Sequence, residues 1–251
     1  MKVITFGSIK GGTGKTSSLI LLARAISKNA KVLLIDLDIN NSLSFTFLPT
    51  NLHEQDPFGK KYIAAGLQSA DLADFVIKTD YDKIDIIQSS LYLVDLRTIN
   101  INRLKNLLKS SSLDYDYILI DTAPTYDNIS LMAYEAADLI ITPVMLSQFD
   151  FNTSMFLAAK LKTETTSFDK WRILYNCIKP DSSIQKDYTD LFENSFSNIL
   201  TGRIPNSSSV RNCIDRKELI GSAKGIQKLR NSILDIASEI TDTVFDFKEA
   251  F

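Results

Sequence analysis

A chain of 251 residues, 45% apolar and 23% charged, suits one large domain or two small ones and excludes a disordered or collagen-like chain. A formal net charge of -2 gives no overall attraction to nucleic acid, so any such contact must come from a local patch. Two cysteines, Cys177 and Cys213, with no Cys-x-x-Cys pair, and a lone His53 in a polar stretch exclude a disulfide framework and most thiol- or imidazole-based metal sites.

In chain order, Lys2 to Phe6 and Lys31 to Asp36 are short β-rich runs flanking an apolar segment from Thr16 to Ser27 that is long enough for a helix. Further strands are expected at Ile84 to Gln88, Tyr117 to Asp121, Leu139 to Val144 and Arg172 to Tyr175, mostly as continuous apolar runs, the pattern of strands buried on both faces of a parallel sheet. Helices are expected over roughly Asn102 to Ser110, Asn128 to Ala136, Thr153 to Lys162 and Gln185 to Asn194, with Ala223 to Val244 closing the chain. This alternation predicts an α/β fold over residues 1–251: a single doubly wound domain, its mostly parallel β-sheet flanked by helices, with Pro49 to Lys61 as an excursion from the sheet. No apolar stretch reaches the roughly 18 residues of a membrane span, Leu139 to Leu146 being broken by Thr142 and Pro143. The N-terminus lacks the features of a leader, so a cytoplasmic location is expected.

Ligands of an open parallel sheet bind beyond the carboxyl ends of its strands. After the first strand comes Gly7-Ser8-Ile9-Lys10-Gly11-Gly12-Thr13-Gly14-Lys15-Thr16, which opens the first helix. Glycines let the backbone bend close to a ligand, so Gly11, Gly12, Thr13, Gly14, Lys15, Thr16 and Ser17 form a candidate phosphate cradle. Lys15 would reach the β- and γ-phosphates, and the Thr16 hydroxyl would ligate Mg²⁺.

Lys-Gly-Gly-x-Gly-Lys-Thr, with Ile9 where the strict pattern has glycine and Lys10 before the glycines, resembles the deviant Walker A motif of the ParA/MinD family of P-loop ATPases. The resemblance implies ATP and Mg²⁺ as cofactors, a slow, partner-stimulated hydrolysis, and a lysine, Lys10, reaching the partner's phosphates across an ATP-bound homodimer. Leu34-Ile35-Asp36-Leu37-Asp38 matches the family's two-aspartate motif, with Asp38 orienting the attacking water and Asp36 near the hydrated metal; Ile39-Asn40 replaces the usual Pro-Gln. Tyr117 to Pro124 is similar to the Walker B strand, with Asp121 holding magnesium through water, and Asn176 and Ile204-Pro205 stand where the family contacts adenine.

Within the family, Arg203 to Arg230 favours the ParA-type partition branch: Arg203, Arg211, Arg216, Lys217, Lys224, Lys228 and Arg230 stand against two acids, a patch suited to phosphates of nonspecific DNA. The expected role is plasmid or chromosome partitioning, nucleoid-associated, with a centromere-binding ParB-type protein as partner. A MinD-like membrane helix is disfavoured because Asp242, Asp246 and Glu249 outnumber Lys248 in Thr241 to Phe251, so no membrane contact is expected. A metabolic P-loop enzyme resembling dethiobiotin synthetase is the other alternative, against which Lys10 argues. Since the chain starts directly with the first strand, a helix-turn-helix extension and operator-specific autoregulation are not expected.

Overall fold

The computed structural model describes residues 1–48, 61–208, 210, 214 and 224–243. The first half alternates β1 (Lys2–Phe6), α1 (Lys15–Ile26), β2 (Val32–Leu37), α2 (Ser42–Phe47), the single turn α3 (Ile63–Gly66), β3 (Ile77–Lys78) and β4 (Ile84–Ile87). A 3-10 segment, Leu91–Leu96, then leads to α4 (Arg103–Ser110), β5 (Tyr117–Thr122) and α5 (Asn128–Ala136). The second half contributes β6 (Leu139–Val144), α6 (Gln148–Glu164), β7 (Trp171–Ile178), α7 (Ser183–Ser195), β8 (Ile199–Pro205) and α8 (Lys224–Thr241).

The strands form one eight-stranded sheet in the order β3-β4-β2-β5-β1-β6-β7-β8, parallel except for the antiparallel β3. Alternate side chains reach opposite faces. Ile4, Phe6, Val32 and Leu34 pack one way against α1, α2 and α8, whereas Val3, Leu33, Ile35 and Leu37 pack the other way against α3, α4 and α5. Trp171, Ile173 and Tyr175 of β7 pack with Leu157 and Leu161 of α6 and Phe192 of α7. Both faces are thus covered, as the continuous apolar strands require.

Where elements differ from the expectation, local chemistry gives the reason. Helix α6 starts at Gln148 rather than Thr153, because Ser147 accepts the Asp150 amide as an N-cap and carries five further residues into the helix. Strand β8, absent from the expected set, contains Gly202 and Pro205, residues that argue against a strand unless it lies at an edge, which is where β8 sits. The short β3, α2 and α3 also went unanticipated, being too brief for periodicity to show. The expected elements at Lys2 to Phe6, Asn128 to Ala136 and Leu139 to Val144 are found with those bounds, and the others shift by a residue or more at one end or both. The expected excursion at residues 49–60, with His53, and also Cys213 and residues 244–251, lie outside the described residues. No helix among the described residues is long and apolar enough to cross a membrane.

Candidate functional site

Strand order reverses at β1, whose neighbours are β5 on one side and β6 on the other. Such a switch point opens a crevice at the carboxyl end of the sheet. Phe6, the last residue of β1, is register partner of Asp121, which is in turn register partner of Asp36 in β2. Two carboxylates and the glycine loop following Phe6 therefore come together because three strands end at one level.

Gly14 precedes α1 with φ of 92°, in the left-handed region where glycine is favoured, and a Cβ there would lie 2.1 Å from Asn176 Nδ2. The loop thus turns into α1 with an uncapped helix N-terminus facing the crevice. Lys15 is 7% exposed; burial pulls its amine below the usual lysine range, with Asp121 and then Asp38 opposing that shift. Its Nζ lies 3.5 Å from the Lys10 carbonyl. Thr16 donates its hydroxyl to Asp121 Oδ2 at 2.5 Å, while Asp121 Oδ1 is buried with no partner. Burial raises the Asp121 carboxyl well above its ordinary value, and repulsion from Asp36 adds to it. Asp36, also fully buried, is raised to about 6, chiefly by desolvation and against the hydrogen bonds from Ser44 and Asp38.

Two buried carboxylates with raised proton affinity, an unpartnered carboxylate oxygen and a hydroxyl beside it are a donor set that fits a hard divalent cation. Among the described residues no three Asp, Glu, His or Cys side chains cluster to hold a metal by themselves, so the cation would share its shell with phosphate oxygens and water. Asp38 sits one strand pitch beyond Asp36, nearly buried, and its Oδ1 accepts both the Asn40 amide and the Asn40 side chain at 2.9 Å. Asn40, standing where the family usually has glutamine, thereby orients Asp38.

Beside the loop lies a cavity of about 430 Å³ lined by Gly12, Gly14, Ser17, Asn176 and Pro205 from the expected set. Leu21, Met145, Ile204 and Val210 supply apolar walls, and Ser18, Cys177, Asn206, Ser207 and Ile214 complete the lining. Its size and mixed lining suit a nucleoside. Met145 was legible only as the residue following an expected strand end; Ser18, Leu21, Cys177, Asn206 and Ser207 gave no signal in the sequence. Cys177 has φ of 55° at an irregularity in the β7–β8 register, and its amide donates to Asn176 Oδ1. That turn aims Asn176 Nδ2 at the Thr13 carbonyl, 2.7 Å away. Asn176 thus braces the glycine loop through one amide proton, with Thr13 nearly fully buried beneath it and Gly11 at the rim near Pro124.

Lys10 points away from the cradle. Its Nζ pairs with Asp150 Oδ1 at 3.0 Å and lies 3.4 Å from Ser147 Oγ, both at the start of α6, and Asp150 is 1% exposed. Of the basic set, Arg203, Lys224, Lys228 and Arg230 fall within the described residues. Arg203 on β8 pairs with Glu193 at 3.2 Å and lies over the Tyr175 ring, Lys228 is exposed and Arg230 half-buried on α8. Lys224 starts that helix, and Arg211, Arg216 and Lys217 lie outside the described residues.

Comparison with known proteins agrees with this fold. A family model for an AAA domain matches residues 1–170. The virulence plasmid ParA family protein pGP5-D of Chlamydia psittaci is 25% identical over 254 residues, 98% of this chain and 96% of that protein. The sporulation initiation inhibitor protein Soj of Bacillus subtilis is 27% identical over 155 residues, 59% of this chain and 60% of its own. A crystal structure of a plasmid partition protein from Borrelia burgdorferi B31 bound to AMPPNP superposes with a TM-score of 0.75 at 27% identity, covering 95% of this chain and 99% of that one. With the glycine loop, the two-aspartate strand end and the Asp121 strand in register, the chain belongs to the ParA/MinD family of deviant Walker A P-loop ATPases.

Proposed function

We propose that this chain is a ParA-type ATPase that binds ATP with Mg²⁺, dimerises in that state, holds nonspecific DNA and releases it after hydrolysis, in the service of plasmid or chromosome partitioning. The observation that carries the reading is the convergence of Lys15, Thr16, Asp36, Asp38 and Asp121 at the carboxyl ends of β1, β2 and β5 beside a nucleoside-sized cavity. The full-length likeness to partition proteins supports the choice of branch.

The roles follow from phosphoryl transfer, in which the protein mainly positions groups and stabilises charge. Backbone N–H groups of Gly11 to Ser17 hold the phosphates, and Lys15 places a positive charge on the β- and γ-oxygens. Thr16, Asp36 and Asp121 would hold magnesium, which would neutralise charge growing between those phosphates. Asp38 orients the attacking water. Lys10 leaves Asp150 to reach the partner's phosphates. The cavity beside Asn176 and Pro205 would take the adenine, with Leu21 and Met145 as apolar lining. Arg203, Arg211, Arg216, Lys217, Lys224, Lys228 and Arg230 supply phosphate contacts to DNA, and a ParB-type protein stimulates turnover on the nucleoid.

The test is binding to random-sequence DNA, followed by fluorescence anisotropy with ATP, with ADP and without nucleotide. Binding should require ATP and weaken steeply with salt through counterion release, and replacing Arg211 and Arg216 by alanine should flatten that slope. ATP-dependent binding to anionic liposomes with none to DNA would move the chain to the membrane branch.

A further inference from the structure

Asp36 is held by three protein donors. Its Oδ1 accepts the Asp38 amide at 3.0 Å, while its Oδ2 accepts both the Ser44 amide at 2.9 Å and the Ser44 hydroxyl at 2.7 Å. A carboxylate offers about four lone-pair positions, so one remains, on Oδ1. Ser44 Oγ also accepts the Ser89 amide at 3.2 Å, and since a serine hydroxyl carries one proton, its donation to Asp36 fixes which way it faces. Ser44 is fully buried, so no solvent water substitutes for these partners. One hydroxyl therefore ties together the end of β2, helix α2 and the segment after β4.

That third segment differs from its surroundings. The Ser89 and Ser90 hydroxyls are buried with no protein partner, whereas Leu91, Tyr92 and Val94 immediately after them are 71%, 49% and 42% exposed. Ser44 grips the buried start of this segment at the Ser89 amide, and Leu93, 2% exposed, packs into the core farther along.

We infer that Ser44 is a positioning residue for the magnesium-dependent step: it fixes Asp36 so that its one remaining acceptor position stays open to a magnesium-bound water, and it ties the start of the 89–94 segment to that carboxylate. The inference rests on the ATPase reading above. Ser44 does not line the nucleoside-sized cavity and its hydroxyl is engaged with Asp36 and Ser89, so its loss should weaken metal binding while sparing the nucleotide.

The experiment compares the parent with Ser44→Ala, Ser44→Cys and Ser44→Thr, using Mn²⁺ as the probe and electron paramagnetic resonance to read its affinity for the ADP complex. Ser44→Ala should weaken Mn²⁺ binding by about 10- to 100-fold, as loss of a group supporting a metal ligand does, with ADP affinity in EDTA unchanged. Ser44→Thr, which keeps the hydroxyl, should restore Mn²⁺ binding, and Ser44→Cys, a weak donor, should fall between. In the nucleotide-free protein, amide exchange at Ser89 should be faster in Ser44→Ala and parental in Ser44→Thr. Parental Mn²⁺ affinity in Ser44→Ala, or equal impairment of the alanine and threonine variants, would overturn the inference and leave the ATPase reading intact. If Ser44→Ala does not fold, parental Mn²⁺ affinity in Ser44→Cys overturns it. A parent that binds no Mn²⁺ with ADP would overturn the ATPase reading and this inference with it.

Discussion

Lys15 and Asp36 carry the predictions that belong to single side chains. Lys15 is held in a site that already penalises its charge, so Lys15→Ala removes the cation facing the phosphates without removing a stabilising ion pair. The variant should fold normally by circular dichroism and show no ATP binding by isothermal titration. Asp36, raised to about 6 by burial, holds its proton more tightly in the native than in the unfolded chain, where the value is near 3.8. Its contribution to stability is therefore present at low pH and is lost as pH rises from about 4 to about 6, a cost of about 3 kcal/mol above that range. Asp121 acts in the same direction. A bound cation needs both carboxylates ionised, so the extra thermal stabilisation given by Mg²⁺–ADP over ADP alone should grow as pH rises through about 6. A Tm increment independent of pH between 5 and 7.5 would contradict this placement of the metal. Both Asp36 and Asp121 were legible as strand-end acids; that they are fully buried was not, since burial depends on β1, β2 and β5 lying side by side and on α2 meeting Asp36.

At the scale of elements, the least legible part is also the one most dependent on its neighbours. The edge strand β8 is covered by α8, whose Glu239 accepts the Thr201 amide at 3.0 Å and whose Leu229, Ile233 and Ile236 are buried in the core. Gly202 permits that close approach: a Cβ there would lie 2.3 Å from Ile236 Cγ1 and 3.3 Å from the Ile236 backbone nitrogen. Gly202→Ala should therefore cost about 1–3 kcal/mol, read as a lower urea midpoint. Adding Ile236→Ala should recover part of that loss, so that the double variant is less destabilised than the two single changes summed. Simple additivity would show that α8 does not rest on Gly202. Strands β1, β2 and β5 were readable because each is a continuous apolar run; β8 was not, because its glycine and proline are tolerated only at a covered edge.

At the scale of the whole molecule, the position of Lys10 decides what a dimer requires. In this conformation the lysine neutralises a buried Asp150, so reaching a second copy means giving up that pair. Lys10→Ala should leave nucleotide binding by the monomer largely intact while abolishing ATP-induced dimerisation in sedimentation. A variant that still dimerises and turns over ATP would make this an ordinary P-loop enzyme. Asp38→Ala should slow hydrolysis by about 100-fold or more while ATP still drives dimerisation, trapping the protein on DNA. Stopped-flow hydrolysis beside a DNA-release assay checks both halves, and normal turnover would remove Asp38 from the mechanism.

The sequence by itself determined the alternation of buried strands and helices and the loop from Gly11 to Thr16, along with the acids at the ends of β2 and β5. Each of these is written in residues adjacent in the chain: apolar runs, glycine spacing, a lysine beside a threonine. The tertiary structure alone decided that Asn176 braces Thr13, that Ser44 grips Asp36 and that Lys10 rests on Asp150, residues 163, 8 and 140 positions apart. It also decided that Arg203, read as part of a cationic surface, pairs with Glu193. Such partners are set by which strand ends the sheet brings to one level, and a pattern confined to neighbouring residues carries no record of that order.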